Sequence, residues 1–201
     1  MPANKLDIVV IIGSLREGSY NAMLARALPE LAPDEIAIRF APSFETFPLY
    51  NADLQAREGI PEAVKRFGEA VRAADGVIVV SPEYNFSIPG GLKNALDWAS
   101  RMEPQPFEHK PVAIQSASPS PLGGGRVQYH LRQLMVYLDA LVLNKPEVFV
   151  SNAPAKVNET TGALTDETTR KFARQQLEAF ARFIHEVGAK HGAEPQRKRA
   201  S

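Results

Sequence analysis

Cysteine is absent from all 201 residues. That single absence removes disulfides, thiolate nucleophiles, iron–sulfur clusters and cysteine-based zinc sites together. Long apolar runs are absent too. The longest uninterrupted one is Ile8 to Ile12, far short of the roughly 20 residues that a membrane-spanning helix needs. Asp7 and Gly13 bracket it so closely that the start of the chain lacks the layout of a signal peptide. An excess of either charge is also missing: 23 basic residues balance 23 acidic ones. Nucleic-acid binders draw most of their affinity from phosphate neutralisation by a basic face. The only basic cluster, Arg197-Lys198-Arg199, sits in a polar tail. Neither a nucleic-acid partner nor a membrane is expected, and the expected location is the cytoplasm.

Hydrophobic residues at 44% and charged residues at 23% suit a folded globular chain. The length fits one domain, drawn here over 1–192, with 193–201 as a polar basic tail.

Leu6 to Ile12 is a β-branched apolar run, the pattern of a strand buried on both faces. Leucine or methionine at 23, 24, 28 and 31 gives a helix over 21–31, ended by Pro29 and Pro33. Ile36, Ile38 and Phe40 alternate in a second strand over 35–41. Residues 42–59 lack a period and read as loop. Pro61 opens a helix with its apolar face on Val64, Phe67 and Val71. Val77 to Val80 is a third strand, and Pro89 opens a helix through Ala99. Val112 to Ile114 is a fourth strand, and a helix follows over 126–140. A fifth strand spans 141–150, with Pro146 interrupting it or placing it at an edge. Thr165-Asp166 caps a last helix to about Gly188.

Strand and helix alternate five times, which defines an α/β protein with a parallel sheet and helices on both faces. Five strands favour the flavodoxin-like three-layer sandwich, order 2-1-3-4-5, over the six-stranded dinucleotide fold. Ligands then sit at the carboxyl ends of the strands, at the loops after strands one, three and four.

The loop after strand one reads Gly13-Ser14-Leu15-Arg16-Glu17-Gly18-Ser19-Tyr20-Asn21. Amides at a helix start point outward unpaired, a natural seat for phosphate. Ser14, Ser19 and Asn21 add short donors, and Arg16 adds a charge able to bind phosphate bidentately. Ser19 stands where a P-loop needs lysine, and Leu15 breaks the glycine fingerprint of dinucleotide folds. A single terminal phosphate, as in a mononucleotide, fits this loop best. Helix capping by Ser19 or Asn21 alone leaves Arg16 unexplained.

The loop after strand three, Ser81 to Gly91, holds two prolines, two glycines and two aromatics. Prolines fix its path and glycines admit a ligand close to backbone. Tyr84 and Phe86 offer an apolar wall for a planar heterocycle. Glu83 has no histidine or second carboxylate beside it in the motif, so it reads as structural or ligand-orienting rather than as an acid or base. None of the four histidines has metal-ligand spacing, and no metal is expected.

Gly13-Ser14-Leu15-Arg16-x-x-Ser19-x-Asn21, with Pro82-Glu83-Tyr84-Asn85-x-Ser87-x-Pro89-Gly90-x-Leu92-Lys93-Asn94-Ala95-x-Asp97-Trp98, resembles the NADPH-dependent FMN reductase family. Within it the chain is most similar to bacterial chromate and quinone reductases, over roughly residues 6–185. The resemblance implies non-covalent FMN reduced by NADPH or NADH, then two-electron, ping-pong reduction of quinones. Chromate, azo compounds and free flavin are further implied acceptors. It implies that Ser14, Arg16, Ser19 and Asn21 hold the FMN phosphate, with Tyr20 a neighbouring cofactor contact. Pro82, Glu83, Tyr84 and Asn85 would line the isoalloxazine ring, largely by backbone, with Ser116 near its other side. No dedicated catalytic side chain is implied. Arg126, Tyr129 and Glu147 match positions of subunit contacts, implying a homodimer and, beyond it, a tetramer. The Ser118-Pro119-Ser120-Pro121 stretch departs from the family pattern. The rival reading from another class is a flavodoxin-type electron carrier that does not oxidise NAD(P)H directly. A flavin-free binding protein is a second.

Overall fold

The fully apolar strands of the sequence become the centre of a parallel sheet. The structure is a computed structural model, which describes residues 5–192; the basic tail over 193–201 lies outside the described residues. β1 (Leu6–Ile12) lies between β2 (Ile36–Phe40) and β3 (Gly76–Val80), and β3 pairs with β4 (Pro111–Ala117). β5 (Leu141–Val142) and β6 (Val148–Val150) both pair with β4, parallel like the rest. The spatial order is 2-1-3-4-5, with β6 continuing the fifth position alongside the carboxyl half of β4. The expected fifth strand is therefore two short ones. Pro146 lies in the gap between them and cannot donate to a ladder.

Successive residues of a strand face opposite sides of its sheet. Val9 and Ile11 of β1, Val77 and Val79 of β3, and Val112 and Ile114 of β4 enter one core. Ile8 and Val10, Ile78 and Val80, and Ala113 enter the other. The first core is closed by α3 (Glu62–Ala73), α4 (Gly90–Ala99) and α5 (Gly125–Tyr137), through Phe67, Trp98 and Leu131 among others. The second is closed by α1 (Tyr20–Leu31) and α6 (Glu167–Gly192), through Leu24, Leu28, Leu177 and Phe180. Two buried faces are the reason that these strands read as unbroken apolar runs.

Four further features differ from the sequence expectation. α1 continues through Pro29, where the buried Leu28 and Leu31 hold its last turn against the sheet. α2 (Ala52–Glu58) forms inside the expected loop, capped by Asn51. It buries none of its residues, so no apolar period announces it. α5 stops at Tyr137, short of Ala140, and Asp139 beyond it adopts the left-handed region, with φ 51°. Finally, β7 (Val157–Asn158) and β8 (Ala163–Leu164) form a small antiparallel hairpin ahead of α6.

Candidate functional site

The six parallel strands point their carboxyl ends to one edge of the sheet, where three loops meet. The loop after β1 packs tightly on the end of β3. The Gly13 amide donates to the Val80 carbonyl at 2.8 Å. A Cβ on Gly13 would stand 2.8 Å from Ser81 Oγ and 3.0 Å from Ser81 Cα, so a side chain there would displace the loop. Ser19 caps α1. Its buried oxygen accepts from the amides of Asn21 at 3.2 Å and Ala22 at 3.4 Å, leaving its own proton to donate elsewhere. Arg16 makes no ion pair among the described residues. Its guanidinium stands 5.5 Å from the centroid of the Tyr20 ring.

These residues enclose a cavity of about 130 Å³, lined also by Pro82, Glu83 and Tyr84 and by Ala117, Ser118 and Pro119. The loops after β1, β3 and β4 thus meet as the alternation of elements implied. A second cavity, of about 240 Å³, shares Ser14 and Arg16 and extends toward Phe44, beyond the end of β2.

The loop after β3 begins with a tight hairpin. Tyr84 and Ser87 exchange backbone hydrogen bonds at 3.0 and 2.9 Å. Asn85 (φ 48°) and Phe86 (φ 70°) make its two-residue turn, both left-handed. Such a turn prefers glycine, and a phenylalanine there must be held by its surroundings. The Arg126 guanidinium lies 3.6 Å from the Phe86 ring centroid. Ser87 Oγ meets His130 Nδ1 at 3.0 Å. Asn85, expected beside a ring, stands exposed at the turn's tip.

Glu83 lines the cavity, but its carboxylate is turned into the start of α5. Only 7% of its side chain is exposed. It accepts from the Arg126 amide at 3.0 Å, the Val127 amide at 3.3 Å and Arg126 Nε at 2.6 Å. α5 needs this, because its own capping position is Gly124, which has no side chain to offer. Glu83 is therefore the remote N-cap of α5 and ties the loop after β3 to the helix after β4.

Ser116, expected near the ring's other side, lies within β4, beneath the cavity wall. Ser116 is fully buried. Its hydroxyl donates to the Gly123 carbonyl at 2.7 Å and accepts from Gln128 Nε2 at 2.8 Å. Gly124 packs so closely that a Cβ there would lie 2.9 Å from Ser116 Cβ. Ser116 thus supports the glycine turn from beneath, while Ala117, Ser118 and Pro119 form the cavity wall. Asn21 also differs in kind. Its amide group binds the Ala117 backbone both ways, at 2.9 and 2.8 Å, fastening α1 to the end of β4. Its side chain shapes the cavity wall.

The charges expected at a subunit contact are partnered within the chain: Arg126 by Glu83, and Glu147 by Lys145 at 2.5 Å, with the Tyr129 hydroxyl donating to it at 3.2 Å. At the amino edge of the sheet, Glu108, His109 and Asp139 bring one ligand atom each within 4.8 Å of one another, all exposed.

Sequence reasoning missed the role of Arg126 at the hairpin and that of Glu159. The Tyr20 hydroxyl donates to Glu159 Oε1. The carboxylate raises the pKa of Tyr20, chiefly through this hydrogen bond, so the phenol remains a donor. No local pattern could have found a partner 139 residues away.

The model of the NADPH-dependent FMN reductase family matches residues 6–155. A quinone reductase of Escherichia coli (strain K12) is 49% identical over 185 residues, covering 92% of this chain and 98% of that protein. A 2-hydroxy-1,4-benzoquinone reductase of a Burkholderia species is 37% identical over 90% of this chain and 97% of its own. The solved structure of FerB, a flavoenzyme NAD(P)H:(acceptor) oxidoreductase of Paracoccus denitrificans, superposes with a TM-score of 0.79. It is 32% identical, over 90% of this chain and 98% of that one.

Proposed function

The chain belongs to the NADPH-dependent FMN reductase family, and from that premise we propose that the cavity between the loops after β1, β3 and β4 is where it holds FMN. It is an FMN-dependent NAD(P)H oxidoreductase that reduces quinones. The observation that carries the site is Arg16, a cation without an acidic partner among the described residues, on a cavity fringed with hydrogen-bond donors. The residues fit an anion. Ser19 has a proton to give, Ser14 adds a hydroxyl, and the one carboxylate in the lining, Glu83, is neutralised by Arg126.

About 130 Å³ suits the phosphate and the neighbouring ribityl atoms, not a whole flavin nucleotide. The ring is assigned to the rim, where backbone of 82–84 and the half-exposed Tyr84 meet Ser118 and Pro119. Bound FMN supplies the two-electron chemistry between NAD(P)H and acceptor. The protein's part is to fix the phosphate, hold the hairpin and keep the rim open to planar acceptors. Exposed Leu15, Tyr84 and Phe86 suit apolar, flat molecules, the character of quinones. Chromate, azo compounds and free flavin belong to the proposed acceptor range.

The chain is proposed to act as a dimer, and beyond it a tetramer, through the outer face of α5. Tyr129, Val136 and Tyr137 there are 56%, 80% and 68% exposed, too much apolar surface for one helix face left in water. Among the described residues no helix is long and apolar enough to cross a membrane. Dependence on NAD(P)H supports a cytoplasmic setting.

The test is an anaerobic visible spectrum of the FMN-loaded protein. Absorbance should bleach with NADPH and return with a quinone. In parallel, Arg16→Ala should weaken FMN by about 10-fold or more, the worth of a hydrogen bond to a charged group, and leave riboflavin, which lacks the phosphate, unchanged. Equal effects on both ligands would remove the phosphate from this cavity.

A further inference from the structure

Resting on the reading of this cavity as the phosphate site, we infer that Glu159 is a built-in antagonist of phosphate binding, acting through Tyr20 to limit how tightly the chain holds its FMN.

Tyr20 is the first residue of α1 and part of the cavity wall. A phenol has one proton. Here it is committed to Glu159, so the hydroxyl is withheld from the cavity. Glu159 makes no ion pair among the described residues. Its charge is thus paired with no cation and stands one phenol ring away from Arg16. A phosphate entering beside Arg16 meets that carboxylate as a like charge and finds the Tyr20 phenol already in use.

The carboxylate is held in place rather than floating. The turn that bears it is closed by Asn158, whose side-chain oxygen accepts from the amides of Thr160 and Thr161, both at 3.0 Å. The Gly162 amide donates to the Asn158 carbonyl at 2.7 Å. Leu164, which ends the hairpin, is buried in the core that α1 and α6 share. The β7–β8 hairpin is thereby anchored on α1 with Glu159 aimed at its first residue. Loosening the phosphate makes the cofactor exchangeable without altering any group that holds the ring.

Dissociation constants for FMN and for riboflavin, from quenching of flavin fluorescence, test this directly. Glu159 is exposed, so its replacement leaves packing intact. Glu159→Ala removes both the charge and the acceptor and should tighten FMN by about tenfold, with riboflavin unchanged. Glu159→Gln keeps an acceptor without the charge and should fall between wild type and Glu159→Ala. Adding Tyr20→Phe to Glu159→Ala should remove the part of the gain that the freed hydroxyl supplies. Should Glu159→Ala leave FMN affinity unchanged or weaker, while Arg16→Ala still weakens FMN relative to riboflavin, the antagonism is wrong and the phosphate site stands. Should Arg16→Ala fail to separate the two ligands, the phosphate site falls and this inference with it.

Discussion

Glu83 offers the sharpest test of how the site is built, because its carboxylate serves a helix in another part of the chain. Glu83→Ala removes the acceptor for two α5 amides and for the Arg126 guanidinium. An unsatisfied buried donor costs about 1–3 kcal/mol, and loss of an N-cap alone costs about 1 kcal/mol. Val127 is buried, whereas the Arg126 side chain is 41% exposed and can regain water. About 2 kcal/mol for the capped Val127 amide and about 1 kcal/mol for the Arg126 ion pair put Glu83→Ala at about 3 kcal/mol. At about 2–4 °C per kcal/mol for a chain of this length, Tm should fall by about 6–12 °C. Arg126→Ala leaves the carboxylate on both amides and loses only a half-exposed ion pair and the stack on Phe86. It should cost about 1 kcal/mol. Urea unfolding of both variants without flavin reads the two numbers. Equal losses would mean that the ion pair, not the cap, carries the stability. A loss below about 1 kcal/mol for Glu83→Ala would refute the remote cap altogether.

Gly13→Ala forces a Cβ to 2.8–3.0 Å from Ser81 and should cost about 1–3 kcal/mol, with FMN affinity falling as the loop shifts; a melt within 1 °C of wild type would contradict that close approach. At the start of α6, hydrogen bonds from the Thr169 hydroxyl and amide lower the Asp166 pKa. A depressed folded value contributes stability above the unfolded pKa of about 3.9 and loses it as pH falls through the folded value. The stability advantage of wild type over Asp166→Asn should therefore be present at pH 6 and vanish at the acid end; an advantage that grows on acidification contradicts the assignment. Val136→Asp on the outer face of α5 should shift the light-scattering mass toward the monomer, whereas an unchanged mass moves the subunit contact to another surface.

The sheet was legible because its strands are buried on both faces. β3 is apolar throughout, as are β1 from Ile8 and β4 from Val112 to Ile114, and no helical period competes with them. What escaped was whatever lacks an apolar signature. α2 rests on an Asn51 cap and buries none of its residues. The β7–β8 hairpin is held by Asn158 and by the burial of a single leucine, Leu164. Pro29 reads as a helix end by its chemistry. Yet Leu28 and Leu31 flank it in the core, and their burial outweighs one missing hydrogen bond in a last turn.

At the site the division follows sequence distance. Ser14, Arg16 and Ser19 act within one loop, so their spacing states their chemistry. Glu83, Asn21, Tyr20 and Ser116 carry partners 43, 96, 139 and 7 residues away, and three of those separations lie beyond any local pattern. For Ser116 the distance is short, but the decisive fact is burial, which a serine at a strand end does not announce. The motif around Pro82 to Trp98 therefore marks where the flavin ring is proposed to lie without saying how the loop is held. That is decided by Glu83 at the start of α5, by Arg126 on Phe86 and by His130 on Ser87. All three fasten the hairpin to α5, whose solvent face carries the exposed Tyr129, Val136 and Tyr137. If subunits meet on that face, the helix that carries the contact also sets the width of the ring's seat. The loss of mass in Val136→Asp should then be accompanied by weaker binding of riboflavin and FMN alike, since α5 acts on the seat proposed for the ring and the proposed phosphate site lies on the loop after β1. Selective loss of FMN alone would sever that connection.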